Sequence, residues 1–184
     1  MTERKQKLDA QLCKHSYDEA TERVSRLASY ATSRSLKKIG FGDYYSLAEE
    51  LCKKDIIVLS ISIRRLAEMT KSATHLKELK VRSFNTDNEK NHTETQESCW
   101  NIIGNILHGV EIDVMKDVGK YTSADIFDAM NNYEEIDAAL SIKSDKFHKK
   151  TFSAVEFLIC INTFLDGAED ILSKNRIFVG SLYE

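Results

Sequence analysis

The sequence contains no proline and only seven glycines in 184 residues. Both residue types interrupt regular helices, so their scarcity favours long helices over many short strands joined by tight turns. Collagen-like and proline-rich classes are excluded on the same ground. The composition therefore predicts an all-α protein.

The chain also lacks a strong charge of either sign and a long apolar run. Its 26 basic and 29 acidic residues give a formal net charge of −3, which argues against the broad basic surface of a non-specific nucleic-acid binder. The longest apolar run, residues 56–63, is interrupted by two serines, whereas a membrane span needs about twenty residues. The N-terminal segment has no apolar core typical of a signal peptide. We therefore expect a cytoplasmic protein that does not contact membranes.

Clustered metal ligands and familiar catalytic motifs are missing as well. The four cysteines lie tens of residues apart, with no C-x-x-C pair, at Cys13, Cys52, Cys99 and Cys160. This spacing does not favour a zinc site, and free buried thiols in a reducing compartment are expected. Nucleotide-binding, hydrolase and zinc-protease motifs are absent from the sequence, so we expect no cofactor and no metal.

Apolar residues recur at helical intervals through most of the chain. The periodicity predicts five helices, over about residues 3–38, 43–72, 94–108, 124–140 and 145–174. Amphipathic helices bury their apolar stripes against one another, so the prediction is a four- to five-helix bundle. We expect a single helical domain over 1–184, made of a long N-terminal helix in 1–40, a bundle core in 43–174 and a C-terminal tail in 175–184.

A few segments do not follow the helical pattern. Residues 56–63 are β-branched and partly alternating, as in a strand, but no turn residue separates them from Arg64, so the helix is preferred. Residues 75–94 are largely polar and aperiodic and are expected to be mainly loop. The alternating V-E-I-D-V at 110–114 predicts a short strand, which could pair with the strand-like tail as a small two-stranded β appendage.

The predicted helix over 94–108 carries a polar stripe opposite its apolar face. Asn101, Asn105 and His108 lie on this stripe together with Gly104, where another backbone or a phosphate could approach. A protonated histidine is favoured near a helix C-terminus and could hold a phosphate, whereas a neutral one could accept a proton from a ribose 2′-hydroxyl. The alternative is that the stripe is simply the solvated face of an amphipathic helix.

Two groups of basic residues are further candidates. Arg65 shares a helical stripe with mostly apolar residues, namely Leu47, Leu51, Val58, Ser62 and Met69. Its guanidinium could bind a phosphate, reach solvent over a buried stem, or pair with a core carboxylate. Arg64 is better explained by a surface pair with Glu68. The cluster of Lys146, His148, Lys149 and Lys150 could bind a phosphate or form a solvated lysine face.

A helical bundle with a short helix that ends in N-I-L-H-G resembles the HEPN superfamily. The resemblance implies a helical bundle, often dimeric, and many of these proteins are metal-independent endoribonucleases of toxin–antitoxin, abortive-infection and other phage-defence systems. Their motif is an arginine followed, after four to six residues, by a histidine. His108 matches that histidine, and Asn101 occupies the arginine position. Arg65 from the second helix could supply the guanidinium if the two helices pack side by side.

The resemblance thus implies a HEPN-like, RNA-directed domain of a bacterial or phage-related defence or toxin–antitoxin system, either a metal-independent endoribonuclease or a catalytically degenerate relative of one. His108 would act as acid and base in transesterification, with Asn101, Asn105 and Arg65 stabilising the phosphate. The alternative is a non-catalytic helical module that forms a homodimer or binds a protein partner.

Overall fold

The chain folds into helices and a five-stranded antiparallel sheet. The structure is a computed structural model and describes residues 3–32, 42–85, 93–116, 138–144 and 149–178. The described helices are α1 (Glu3–Thr32), α2 (Gly42–Thr70), α3 (Ala73–Glu78), α4 (Cys99–His108) and α5 (Ala154–Lys174). The described strands are β1 (Lys80–Asn85), β2 (Thr93–Ser98), β3 (Glu111–Lys116), β4 (Ala138–Lys143) and β5 (Lys150–Ser153).

The sheet has the strand order β2-β1-β5-β4-β3, with antiparallel pairing throughout. Its register aligns Ser83 with Phe152, Phe152 with Leu140, and Leu140 with Val114. Directly paired residues point to the same face of a sheet, so these four side chains lie on one face. All four are buried, and this face packs against the helices.

The all-α prediction is wrong, because the fold is a mixed one of helices and a five-stranded sheet. Residues 75–94, expected to be mainly loop, include most of α3, all of β1 and the start of β2. The helix predicted over 94–108 begins only at Cys99, since β2 precedes it. Residues 111–114 of the predicted 110–114 strand belong to β3, which pairs with β4 and not with the tail. The described part of the tail, 175–178, contains no strand.

Two helix predictions overlap strands at the centre of the sheet. Ala138–Leu140, predicted as the end of a helix, belong to β4, and the rest of that predicted helix, 124–137, lies outside the described residues. The last helix begins at Ala154 because β5 precedes it, and 145–148 lie outside the described residues. β4 is buried on both faces, so its sequence lacks the polar alternation that marks a half-buried strand.

The two long N-terminal helices confirm the helical periodicity, and the β-branched run 56–63 is helical within α2. Ser60 Oγ donates to the Ile56 carbonyl at 2.8 Å, so the hydroxyl is satisfied within the helix. α1 and α2 pack antiparallel, which brings Arg23 to Asp55 at 3.0 Å and Glu19 to Ser62 at 2.7 Å. The described helices include none that is long and apolar enough to cross a bilayer.

The core lies between the helices and the inner face of the sheet. α5 contributes the stripe that its spacing predicts, with six buried members: Ala154, Leu158, Ile161, Leu165, Ala168 and Leu172. Phe152, Phe157 and Phe164 are completely or almost completely buried beside it. Burying one such aromatic side chain stabilises the fold by about 2–3 kcal/mol, so α5 anchors the sheet to the helices.

Candidate functional site

The helix that carries the predicted site residues, α4, begins at the edge of the sheet. Ser98, the last residue of β2, caps it by accepting from the Asn101 backbone N–H at 3.3 Å. Ile102, Ile103 and Ile106 are buried, so the apolar face points to the core as predicted. The Asn101–Asn105–His108 stripe therefore lies on the outer side of α4.

Asn101 is exposed, but its amide is already bonded. Its Nδ2 donates to Glu97 Oε1 at 2.7 Å, and Lys150 Nζ donates to Glu97 Oε2 at 3.1 Å. Burial raises the pKa of Glu97, but these two hydrogen bonds and the Lys150 charge outweigh it and hold the pKa below its usual value. The Asn101 donor thus serves a local carboxylate and does not point towards His108.

His108 is the last residue of α4 and is exposed. Among the described residues, no hydrogen bond or ion pair involves its imidazole, and Asn105 beside it is half-buried. A Cβ built on Gly104 would meet no atom within 4 Å, so this glycine borders open space. The stripe is an open surface at this end of the helix.

Arg64, and not Arg65, faces α4. Its guanidinium carbon lies 5.3 Å from the centroid of the Trp100 ring at the start of α4. Nearer the start of α2, Lys53 Nζ contacts Asp113 of β3, the strand that follows α4, at 3.2 Å. α2 therefore runs antiparallel to the α4–β3 segment, and Arg64 lies level with the beginning of α4. His108 is about two helical turns, or about 12 Å of rise, farther along.

Arg65 follows Arg64 by 100° around α2, which turns it away from α4. It is half-buried and lies on the side of α2 that carries Leu51 and Ile61. The structure therefore does not bring the four predicted site residues together. Asn101 is near the Arg64 end of α4, Asn105 and His108 are near the other end, and Arg65 is on a different face of α2.

The described lysines of the predicted basic cluster are paired with carboxylates. Lys149 Nζ lies 3.6 Å from Asp113, and Lys150 Nζ lies 3.1 Å from Glu97; Lys146 and His148 lie outside the described residues. These carboxylates offset the positive charge that a phosphate would need. Across the described ranges, no three histidine, cysteine or acidic side chains are grouped to hold a metal ion.

Much of the largely apolar stripe that the sequence analysis drew through Arg65 lies on the solvent side of α2. Leu47 is 58% exposed, Leu51 is 52% exposed and Ile61 is 41% exposed. With the half-buried Val58 they follow one helical line, here named the α2 stripe, which Lys54 and Arg65 complete. The opposite side of α2 is buried through Ile56, Leu59, Ile63 and Leu66. The sequence carried a signal for this surface, because α2 has apolar residues on two opposite sides. One side packs against the core, and the other needs a second partner.

A groove of about 440 Å³ between α1 and α2 borders this stripe. Leu51 and Val58 line it from α2, and Arg23, Arg26 and Tyr30 line it from α1. Asp55 also lines the groove and lies 3.0 Å from Arg23, so the arginines at this margin are paired with carboxylates.

Comparisons with models of protein families, with curated protein sequences and with solved structures find no match to this chain.

Proposed function

We propose that this chain is a self-associating interaction domain, and that the α2 stripe is the surface through which two copies pair. The observation that carries the proposal is the exposure of Leu47, Leu51 and Ile61 along one line of a single helix. Single exposed apolar residues are normal on a protein surface, but a contiguous apolar line marks an interaction site.

The spacing of the stripe favours an antiparallel pair. Its six positions, Leu47, Leu51, Lys54, Val58, Ile61 and Arg65, alternate in steps of four and three residues, as in helices that pack side by side. The series reads the same from either end. A two-fold axis therefore matches the stripe to itself and places Leu51 beside Ile61 of the partner subunit.

The charges along the stripe suit the same arrangement. In the antiparallel pair, Leu47 lies beside Arg65 of the partner subunit, and Glu50 is about one turn away on the same helix. Arg65 can then cover Leu47 with its stem and direct its charge to Glu50. Lys54 lies beside Val58 of the partner subunit, where its stem adds apolar contact. Opposite charges at the rim favour this register over a parallel one, which would stack each cation on its own copy.

The resemblance to HEPN proteins, which are often dimeric, agrees with a homodimer, although it now rests on the N-I-L-H-G segment and not on the fold. A cytoplasmic location fits four cysteines that form no disulfide. RNA cleavage by His108 remains a hypothesis that draws on that resemblance. An exposed imidazole supports it, but Asn101 is bonded to Glu97 and Arg65 lies on another face. Self-association is the function that the geometry supports better.

Multi-angle light scattering of the full chain tests the proposal. At about 100 µM we expect a mass near twice the 21.0 kDa of one chain. Leu51→Glu should shift the protein to monomer, because it buries a charge at the centre of the contact.

The matched control is Ile159→Glu on α5, a site of similar exposure at 51%, which should remain dimeric. A monomeric wild type at this concentration would overturn the proposal, and so would a Leu51→Glu variant that is as dimeric as the control. Circular dichroism of each variant shows that the fold is retained.

A further inference from the structure

Positive charge is unevenly distributed along this chain, whose formal net charge is −3. Residues 64–80 contain five lysines and arginines but only two glutamates. They form the end of α2, the whole of α3 and the first residue of β1. Arg65 belongs to the α2 stripe, and the other four cations are here named the basic surface: Arg64, Lys71, Lys77 and Lys80.

Trp100, the only tryptophan of the chain, lies beside the basic surface. Its ring centroid is 5.3 Å from the Arg64 guanidinium carbon and 5.8 Å from Lys77 Nζ. The start of α4 is held there because the Cys99 backbone N–H donates to the Leu79 carbonyl at 3.0 Å. Trp100 is only half-buried, so part of its side chain faces solvent next to the cations. Tryptophan and arginine are enriched among the residues that dominate the energetics of protein interfaces.

Most cations of the basic surface have no carboxylate partner. Among the residues that the structure describes, no ion pair involves Lys71, Lys77 or Lys80, and all three are exposed. Arg64 pairs with Glu68 at 3.1 Å, but the two side chains are 38% and 58% exposed. An ion pair this exposed contributes little to stability, so a carboxylate from a ligand can replace Glu68 at small cost.

The positions of these charges suit an extended acidic ligand. Arg64 and Lys71 are separated by about 10 Å along the axis of α2, and the other two lysines belong to two further elements. The charges are therefore spread along a surface, as the carboxylates of an acidic peptide are, and Trp100 offers an apolar contact between them. A nucleic acid also carries repeated negative charge, but the net charge of −3 opposes a long polyanion.

We propose that the basic surface and Trp100 form a docking site for an acidic segment of a partner protein. Carboxylates of the segment pair with Lys77 and Arg64, and an apolar side chain between them packs on the exposed part of Trp100. This function goes beyond self-association, because Arg64 faces α4 and the α2 stripe lies on another side of α2.

The test is a titration of a fluorescein-labelled peptide made of Glu-Glu-Leu repeats with the full chain, followed by fluorescence anisotropy. We expect saturable binding that weakens as salt is added, because the charges are exposed and are screened. The emission of Trp100 should change over the same range of protein concentration. A peptide of the same length made of Lys-Lys-Leu repeats should not bind.

Variants of single cations locate the site. Lys77→Gln and Arg64→Gln should each raise the Kd for the acidic peptide at least about threefold. Lys174→Gln is the matched control, since Lys174 of α5 is also exposed and forms no ion pair within the described ranges. Leu51→Glu should bind the peptide as the wild type does, so a failure of self-association is distinguished from a failure of docking.

Three results would overturn the proposal. The first is no binding of the Glu-Glu-Leu peptide by the wild type. The second is an equal Kd for the Lys77→Gln and Lys174→Gln variants. The third comes from a labelled single-stranded oligouridylate that is titrated in the same way, if the chain binds it more tightly than the acidic peptide.

Discussion

Arg64 of α2 covers the ring of Trp100 in α4, and its Nε donates to Glu68 of its own helix at 3.1 Å. Lys77 of α3 approaches the same ring, with Nζ 5.8 Å from the centroid. One aromatic side chain thus connects three helices. The contact fixes which end of α4 lies beside the arginine pair of α2, and it leaves Arg65 on the α2 stripe.

The Arg64–Trp100 contact should contribute to stability. Arg64→Ala removes a cation–π contact and a partly exposed ion pair, so we expect a loss of about 1 kcal/mol in the free energy of unfolding. Urea unfolding followed by the fluorescence of Trp100, the only tryptophan, measures it. Lys14→Ala, which breaks only the ion pair with Asp18 at 3.1 Å, should cost less than about 0.5 kcal/mol. Equal losses in both variants would show that the ring contributes nothing.

The Glu97 carboxylate should make stability depend on acid pH. Its pKa is lowered in the folded chain, so its charged form stabilises the fold above the ordinary glutamate value of 4.5, and the contribution disappears as the pH falls through the folded pKa. Glu97→Gln should therefore cost about 1 kcal/mol at pH 7, and this difference should shrink below about pH 4.

The control for this pH dependence is Glu111→Gln. Glu111 lies 3.8 Å from Lys143, and both side chains are exposed, so the substitution should change stability little at either pH. Chemical denaturation at pH 7 and pH 3.5 compares the variants. A Glu97→Gln difference that is the same at both values would mean that the carboxylate charge has no stabilising role.

The position of His108 leads to a prediction about RNA. Because Asn101 and Arg65 are not gathered around this imidazole, we expect no RNA cleavage that depends on it. The assay incubates labelled single-stranded RNA with the wild type and with His108→Ala, in excess chelator. Cleavage by the wild type that His108→Ala abolishes would restore the ribonuclease hypothesis, with the catalytic groups arranged differently from our description.

The long helices could be predicted from the sequence because their signal is local. In α5, the spacing from Ala154 to Leu172 identifies the buried face without any knowledge of its partners. The run 56–63 was ambiguous by residue type, and the missing turn residue gave the correct answer. The absence of a helix-breaking residue between this run and Arg64 was a better guide than the β propensity of its residues. β propensity depends strongly on the surrounding structure.

The sheet could not be predicted, because its strands depend on partners that are far away in the chain. β1 pairs with β5 through Ser83 and Phe152, a contact that no local window contains. β2 (T-E-T-Q-E-S) is an edge strand and carries polar side chains like a loop. β5 has only four residues and is followed directly by α5. The helical periodicity of α5 therefore extends back over the strand when only the sequence is read.

The candidate site was predicted only in part. The polar stripe of α4 lies on the outer face as its spacing indicates, and Arg64 pairs with Glu68 as expected. Which arginine faces α4 depends on the rotation of α2, and a stripe drawn from one helix alone does not define that rotation. The apolar line through Leu51 and Ile61 became visible as a surface only when the opposite face of α2 was found to be buried.

The most direct test of self-association through α2 is disulfide trapping between two different single-site variants. Leu51→Cys and Ile61→Cys are each made in a Cys160→Ser background, and one of them carries a size tag. The two are mixed under mild oxidation. Antiparallel pairing places these positions side by side, while two copies of Leu51 are about 15 Å apart along the helices, beyond the Cα separation of about 7 Å that a disulfide spans.

We predict a mixed disulfide between Leu51→Cys and Ile61→Cys, and little cross-linking of Leu51→Cys with itself. Absence of the mixed species, or equally efficient cross-linking of Leu51→Cys to its own kind, would contradict the antiparallel pairing of α2 on which this account rests.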